Sequence, residues 1–156
     1  MLYLIFHLGD SACALRAVDI QEVIHPLHLS PVAGAPRSLA GRCNFRGRSV
    51  PVVDLCELAI GRPTRPRLST RIIMAFYPNA SNQRGVLGLR AERVDTLRRL
   101  EESDFVRSGI SPRDTPFLGD IAFVDGKPVQ RLTLDNLLPQ ELAESLFQTA
   151  PVLTYA

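Results

Sequence analysis

The sequence predicts an all-β protein with a few short helices, arranged as two small five-stranded barrels packed side by side. Three observations predict this class. Short runs of apolar and β-branched residues recur along the 156-residue chain, and tight turns rich in glycine, proline, asparagine or aspartate separate them. Sustained helical periodicity is confined to the C-terminal part. The two halves of the chain also resemble each other, which indicates two copies of one β-rich unit.

The N-terminal half contains strands, hairpin turns and one helical turn. Extended segments are predicted at 2–8, 12–15, 18–24, 39–45 and 49–53, the third of them beginning as a helical turn. Gly9-Asp10 marks the first hairpin, and Gly47 marks another because glycine readily adopts the positive φ of a tight turn. Asp54 is suited to cap a short helix that Gly61 closes.

The C-terminal half repeats this pattern after a linker, 61–69, that is rich in proline and arginine. Strands are predicted at 71–77, 84–89, 94–100, 117–124 and 127–132, and helices at 134–138 and 140–147. We therefore expect a single domain over residues 1–148 and a tail over 149–156. Within the domain, subdomain halves of approximately 14–68 and 69–138 are expected, together with an N-terminal strand and a C-terminal helix.

Two registers relate the halves. A shift of 74 residues places Leu15-Arg16-Ala17 on Leu89-Arg90-Ala91, and a shift of 79 places Gly47-Arg48 on Gly126-Lys127. Each unit is small, so the two are expected to share a core and to leave a groove between them. Closing each sheet would remove its exposed edges, which favours SH3-like barrels.

The charge distribution leaves two functions open. The net charge is only +2, but Lys127 is the single lysine and arginines crowd between Arg37 and Arg71. A small barrel could use this basic region to bind single-stranded nucleic acid, although such proteins interleave aromatic stacking platforms and only Phe45 lies there. Alternatively, the arginines of the linker simply keep it soluble.

Catalytic and metal-binding patterns are not found. His25 and His28 are close in sequence but lack a third ligand in a matching segment. The three cysteines are widely spaced, which favours reduced, buried thiols in a cytoplasmic protein over a disulfide framework or a zinc site. The sequence contains no nucleophile elbow or phosphate-binding loop, and no apolar run approaches the roughly twenty residues that span a bilayer. We predict no enzymatic activity, no cofactor and no metal.

The segment Asn44-Phe45-Arg46-Gly47-Arg48, followed by Ser-Val-Pro-Val-Val-Asp-Leu, carries a specific resemblance. With the duplicated barrel, the Pro-rich loop at 31–36 and the Ile20-Gln21-Glu22-Val23 segment, the chain resembles the CheW family of bacterial chemotaxis adaptors. The resemblance covers nearly the whole chain and implies the CheW-like double-barrel fold.

The resemblance implies a non-catalytic scaffold that couples methyl-accepting chemoreceptors to a CheA-type histidine kinase. The kinase regulatory domain would pair barrel against barrel, and the receptor's helical cytoplasmic tip would bind in the groove. Such an adaptor is cytoplasmic and is recruited to membrane-associated receptor arrays. The partner-binding residues implied by the resemblance are Arg46, Asn44, Phe45, Gly47, Arg48, Glu22 and Ile20.

The sequence departs from the family pattern at several positions. Phe45 replaces a usual leucine, Arg42 and Cys43 stand at commonly apolar positions, and Gln130-Arg131 interrupts the final strand. Our hypothesis is that the chain serves an accessory chemosensory cluster. The turn at Gly126 keeps the glycine but has Asp125 where the first copy has Arg46, so the arginine is specific to one copy.

Overall fold

The computed structural model describes residues 1–78, 84–107 and 115–147. Its strands are β1 (Leu2–Leu8), β2 (Ser11–Arg16), β3 (Ile20–Ile24), β4 (Leu39–Phe45), β5 (Arg48–Asp54), β6 (Arg71–Pro78), β7 (Arg84–Arg99), β8 (Leu118–Val124) and β9 (Lys127–Leu132). Its helices are α1 (Leu55–Ile60) and α2 (Gln140–Phe147), with 3₁₀ turns at Ala17–Asp19 and Glu102–Asp104. The mostly-β class predicted from the sequence is confirmed.

Two predicted elements differ. The strands expected at 84–89 and 94–100 form one continuous strand, β7. The helix expected at 134–138 is wrong, because that segment makes turns that bury Leu134, Leu137 and Leu138 in the core. Leucines spaced three and four apart suit a helical face, but Pro139 disfavours helical backbone in the residue before it. The tail predicted at 149–156 lies outside the described residues.

The strands form two five-stranded sets that share β7. In the first barrel the order is β3, β6, the beginning of β7, β5 and β4. In the second barrel it is the end of β7, β1, β2, β9 and β8. A bridge links Ser30, in the segment after β3, to Arg42 of β4, and a second bridge links Val106, after β7, to Ile121 of β8.

The repeat is visible in the register of the parallel strand pairs. Val52 of β5 lies beside Gly88 of β7, and Arg131 of β9 lies beside Ala14 of β2. Arg131 follows Val52 by 79 residues and Gly88 follows Ala14 by 74, so the two shifts found in the sequence relate equivalent contacts. A pseudo-twofold axis therefore relates the barrels.

The sheets do not coincide with the expected consecutive halves at 14–68 and 69–138. Each barrel takes one hairpin from one copy of the repeat and three strands from the other, because β1 pairs with β7, and β2 pairs with β9, the partner of β8. β7 passes from one barrel to the other near Arg93, whose φ of 46° places it in the left-handed region. The exchange binds the barrels together.

The largest cluster of buried side chains lies between the barrels. It includes Phe6 and Leu15 of the second barrel and Ile73 and Leu89 of the first, each with no exposed surface. Smaller clusters fill the two barrel interiors. Burying one such side chain stabilises the fold by about 1.5–3 kcal/mol, so the shared core makes the barrels energetically dependent on each other.

The linker is held by buried carboxylates. The Asp54 carboxylate caps α1 by accepting from Cys56 N and Glu57 N, and it also accepts from the Thr64 hydroxyl at 2.6 Å and from Arg90 Nη2 at 2.8 Å. Burial alone would raise the pKa of Asp54, but hydrogen bonds from Thr64, Arg90 and the helix backbone lower it below its usual value. The carboxylate thus remains ionised although it is only 1% exposed.

Glu92 is the second linker anchor. Arg62 donates to both of its oxygens at 2.9 and 3.2 Å, and the backbone amides of Arg65 and Gly9 donate to it as well. The hydrogen bonds with Arg62 and Arg65 lower the pKa of Glu92 from 4.5 to about 2 despite its burial. The interpretation of Arg62 as merely solubilising is therefore wrong, because its guanidinium holds the linker against β7, whereas Arg65 contributes through its backbone amide alone.

Glu92→Gln is expected to lower the free energy of unfolding by about 1–3 kcal/mol at neutral pH, because it removes the charge partner of Arg62. The folded-state pKa of Glu92 is depressed, so its contribution is complete above the unfolded value of 4.5 and is lost as pH falls toward 2. The free energy of unfolding, measured by urea melts as the pH is lowered from 4.5 toward 2, should fall less steeply in the variant than in the parent protein. Glu141→Gln, at an exposed position on α2, is the control; equal slopes in all three proteins would contradict the role of Glu92.

Candidate functional site

The candidate site begins at the turn between β4 and β5. Phe45 pairs with Arg48, so Arg46 and Gly47 form a two-residue hairpin loop. Both have positive φ, 52° and 77°, which matches the turn type that suits the twist of antiparallel strands. The Asn44 side chain accepts from the Gly47 amide at 3.0 Å and fixes the loop. An arginine in this backbone region is uncommon and costs strain that function can justify.

The equivalent turn of the second barrel has the same backbone with different side chains. Val124 pairs with Lys127, and Asp125 and Gly126 have φ values of 52° and 78°. The loop geometry is thus a property of the repeat. The side chain at the first position of the loop differs between the two copies, because Asp125 stands where the first barrel has Arg46.

The structure brings two predicted segments together. Arg46 Nη2 donates to Glu22 Oε2 of β3 at 2.8 Å, across 24 residues of sequence. The Arg46 side chain is 64% exposed and that of Glu22 is 37% exposed, so both stay accessible to a partner. The guanidinium also lies 5.1 Å from the centroid of the Phe45 ring. The guanidinium therefore makes two contacts within the chain while most of the Arg46 side chain stays exposed.

The seven predicted residues play different parts. Asn44, Arg46, Gly47 and Arg48 are exposed. Phe45 is only 8% exposed and packs in the interior of the first barrel, so it supports the turn from below and offers a partner little surface. Three further findings bear on β3: Ile20 is half-buried against the main core, Glu22 is half-buried, and Val23 beside it is exposed.

Sequence reasoning missed the role of Arg42. Its guanidinium donates to the Ser49 hydroxyl at 3.2 Å on the neighbouring strand and to the Leu146 carbonyl at 3.4 Å in α2. It therefore links the hairpin to the C-terminal helix. The available signal was a charge at a position where the strand pattern favours an apolar residue.

The described residues offer little to the nucleic-acid alternative. Arg42 and Arg62 are engaged within the chain, and Arg71 donates to backbone carbonyls beside it. Phe45, the one aromatic residue of the segment, is buried and cannot stack on a base.

In the part of the chain that the structure describes, we find no arrangement of side chains suited to metal binding or thiol chemistry. That part contains no group of three histidine, cysteine or acidic side chains placed to hold a metal ion. Cys13, Cys43 and Cys56 are buried, and burial raises the pKa of Cys13 to about 12, which opposes thiolate formation. None of the described helices is long and apolar enough to cross a membrane.

Comparisons with a protein-family model and with known proteins all identify CheW-like proteins as similar to this chain. The model of the CheW-like domain family matches residues 2–142. A chemotaxis protein CheW from Rhizobium meliloti is 22% identical over 142 residues, covering 90% of this chain and 88% of the relative. The chemotaxis protein CheW of Thermotoga maritima is 23% identical over 135 residues, covering 86% and 85%.

A solved structure supports the fold. The crystal structure of the scaffolding protein TtCheW from Thermoanaerobacter tengcongensis superposes with a TM-score of 0.76 at 22% identity, covering 88% of this chain and 87% of that one. The predicted double-barrel fold is confirmed by this match.

The Arg46–Glu22 pair is expected to contribute little to stability, because both side chains are solvated. In a double-mutant cycle, Arg46→Ala and Glu22→Ala should each cost less than about 1 kcal/mol, with a coupling energy of about 0.2–1 kcal/mol. Urea melts at low salt measure the coupling, which should shrink at high salt. Arg48→Ala with Glu22→Ala is the matched cycle and should show none. If the free-energy changes of Arg46→Ala and Glu22→Ala also add without a coupling energy at low salt, the ion pair does not form.

Proposed function

The chain belongs to the CheW-like family, and on that premise we propose that it is a non-catalytic adaptor coupling methyl-accepting chemoreceptors to a CheA-type histidine kinase. At the coarser level, the family comparisons support a scaffold that works with chemosensory partners. The individual contacts are our proposal. The observation that most directly supports the proposal is the ion pair between Arg46 of the turn and Glu22 of β3.

The Arg46 turn suits recognition of a folded partner. The loop is fixed by its backbone and by Asn44, so presenting the guanidinium to a partner loses little conformational entropy. Its planar donor fork fits a carboxylate or a set of carbonyl groups. We assign this turn, with Asn44, Gly47 and Arg48 around it, to the regulatory domain of the kinase, which would dock barrel against barrel.

The β3 segment is assigned to the receptor. It is the edge strand of the first barrel, with Val23 exposed and Ile20 and Glu22 half-buried at its surface. An amphipathic helix, such as the receptor's cytoplasmic tip, binds a surface that combines apolar contact with a charged rim. Because Glu22 is the acceptor of Arg46, a partner that binds either residue changes what the other can bind.

Localisation and cellular setting follow the same proposal. The adaptor would act at receptor arrays on the cytoplasmic side of the membrane. The departure at Gln130-Arg131 is accommodated internally, since Arg131 donates to Glu102 at 2.8 Å and to Asp120 at 3.1 Å. These contacts stabilise the second barrel. That the chain serves an accessory chemosensory cluster stays our hypothesis.

Arg46→Ala is expected to weaken binding to the cognate kinase or receptor about tenfold while leaving the fold intact, since the side chain is solvated and lies at a presented turn. The measurement is a titration of the purified adaptor against the kinase regulatory domain and against receptor fragments from the same cluster, with a thermal melt of each variant.

Arg67→Ala removes an exposed arginine of the linker and is the matched control, expected to bind as the parent does. Unchanged affinity of Arg46→Ala for the kinase regulatory domain would refute the assignment of the turn to the kinase. Tight oligonucleotide binding with a steep salt dependence would instead favour the nucleic-acid alternative.

A further inference from the structure

The last part of the linker, residues 65–69, forms an ordered turn, which we call the linker tip. The Thr70 hydroxyl donates to the Arg65 carbonyl at 2.6 Å and accepts from the Arg67 amide at 3.0 Å. The Thr70 amide donates in addition to the Arg67 carbonyl at 3.1 Å. Thr70 is only 2% exposed, so one buried side chain and its amide fix the backbone of the tip.

Leu68 lies at the apex of the linker tip, as a central residue of the turn that the bond between Thr70 and Arg67 closes. It is 97% exposed, whereas the next most exposed large apolar residue of the described chain, Phe123 in β8, is 64% exposed. The Arg71 guanidinium donates to the Leu68 carbonyl and holds it in place. Single exposed apolar residues are common, but one fixed on an ordered turn can enter an apolar phase with little loss of conformational entropy.

Three exposed arginines lie around Leu68. Arg65 and Arg67 belong to the linker tip itself. Arg93 of β7 lies beside the tip, because the amide of the next residue donates to the Ser69 carbonyl at 3.1 Å. Within the described chain, none of the three guanidinium groups has a hydrogen-bond or salt-bridge partner. The apolar apex is therefore surrounded by positive charge that the described chain does not neutralise.

The sequence around the linker tip supplies little negative charge. No aspartate or glutamate occurs between Glu57 and Glu92, so the linker and β6 carry arginines as their only charged residues. The Glu92 carboxylate is already bound to the Arg62 guanidinium and to the Arg65 amide. An anionic surface that approaches the tip therefore meets no carboxylate from these segments that would repel it.

The small size of the linker tip favours a membrane surface over a folded protein as its partner. A stable protein–protein interface buries roughly 1,000 Å² or more, which a single turn with one apolar side chain does not provide. A bilayer needs no preformed socket. One apolar side chain can enter the region between headgroups and acyl chains while basic side chains around it contact anionic headgroups. An apolar apex within a ring of arginines has this arrangement.

We propose that the linker tip binds the surface of an anionic phospholipid bilayer. Leu68 enters the boundary between headgroups and acyl chains, and Arg65, Arg67 and Arg93 pair with lipid phosphates beside it. The binding is reversible, because even a single acyl chain is only a marginal membrane anchor. This contact is separate from the kinase and receptor contacts proposed above, because it uses neither the Arg46 turn nor β3.

The chain contains no tryptophan, so Leu68→Trp places a single fluorophore at the apex of the tip. With vesicles of phosphatidylglycerol and phosphatidylcholine in equal parts, its emission should shift to shorter wavelength and be quenched by brominated acyl chains, because the ring leaves water. Vesicles of phosphatidylcholine alone should cause neither change. Leu97→Trp is the matched control, at an exposed leucine beside Arg98 and Arg99 on the second barrel, and should respond to neither vesicle.

Sedimentation with the same anionic vesicles measures the contribution of each side chain. Arg65→Gln combined with Arg67→Gln should raise the lipid concentration for half-maximal binding about tenfold, and Leu68→Ser should do the same. Arg65→Lys combined with Arg67→Lys should bind as the parent does, because a membrane surface attracts positive charge rather than one donor geometry. Arg99→Gln combined with Lys127→Gln removes two exposed charges from the second barrel and is the control, with an expected change below about threefold.

Three outcomes would overturn the proposal, provided that thermal melts show each variant to be folded. One is an equal response of Leu68→Trp and Leu97→Trp to anionic vesicles. Another is equal binding of the parent protein to anionic and neutral vesicles. The third is loss of binding in the variant with lysines at both tip positions, which would indicate a partner that reads guanidinium geometry, such as an acidic protein. Leu68→Ser should bind the kinase and receptor fragments normally, so failure of the membrane contact would leave the adaptor function standing.

Discussion

The buried carboxylate of Asp54 is the interaction on which most of the first barrel depends. It ends β5, caps α1, holds Thr64 of the linker and pairs with Arg90 of β7, so four segments distant in sequence meet at one side chain. A carboxylate this buried is tolerable only when its lone pairs are satisfied, and five donor groups satisfy them here. The linker is consequently a structural part of the barrel. Its order in turn lets Arg62 clamp Glu92 where β7 leaves the first barrel.

The exchange of strands between the repeats makes the junction rigid. β7 is hydrogen-bonded to β6 and β5 along its first part and to β1 along its second. Neither barrel can therefore separate without breaking a ladder, and the large core between them would be exposed as well. For an adaptor this has a direct consequence. Surfaces on the two barrels keep a fixed mutual orientation.

Local signals in the sequence predicted the local structures. Gly47 and Gly126 marked the two hairpin turns, and Asp54 and Gly61 marked the ends of α1, because each device depends on a few consecutive residues. The exchange of strands could not be inferred in this way, since it depends on pairing between residues 85 to 97 positions apart in β1 and β7 and 117 positions apart in β2 and β9. For the same reason, Glu22 and Arg46 were each predicted from the resemblance, while their contact appears only in the folded chain.

The repeat separates what the fold requires from what function can alter. Both copies keep a glycine with positive φ in the hairpin turn, and both keep an arginine at the position of Arg16 and Arg90. The copies differ at two positions. At the exposed first position of the turn the first copy has Arg46 and the second has Asp125, and Glu92 at the linker anchor is equivalent to Val18 in the other copy. A fold built twice from one pattern must satisfy the same backbone constraints twice, whereas partner contacts need to be satisfied only once. The exposed first position of the turn is therefore where a partner contact can change without cost to the shared fold, whereas Glu92 is itself part of the structure that holds the linker.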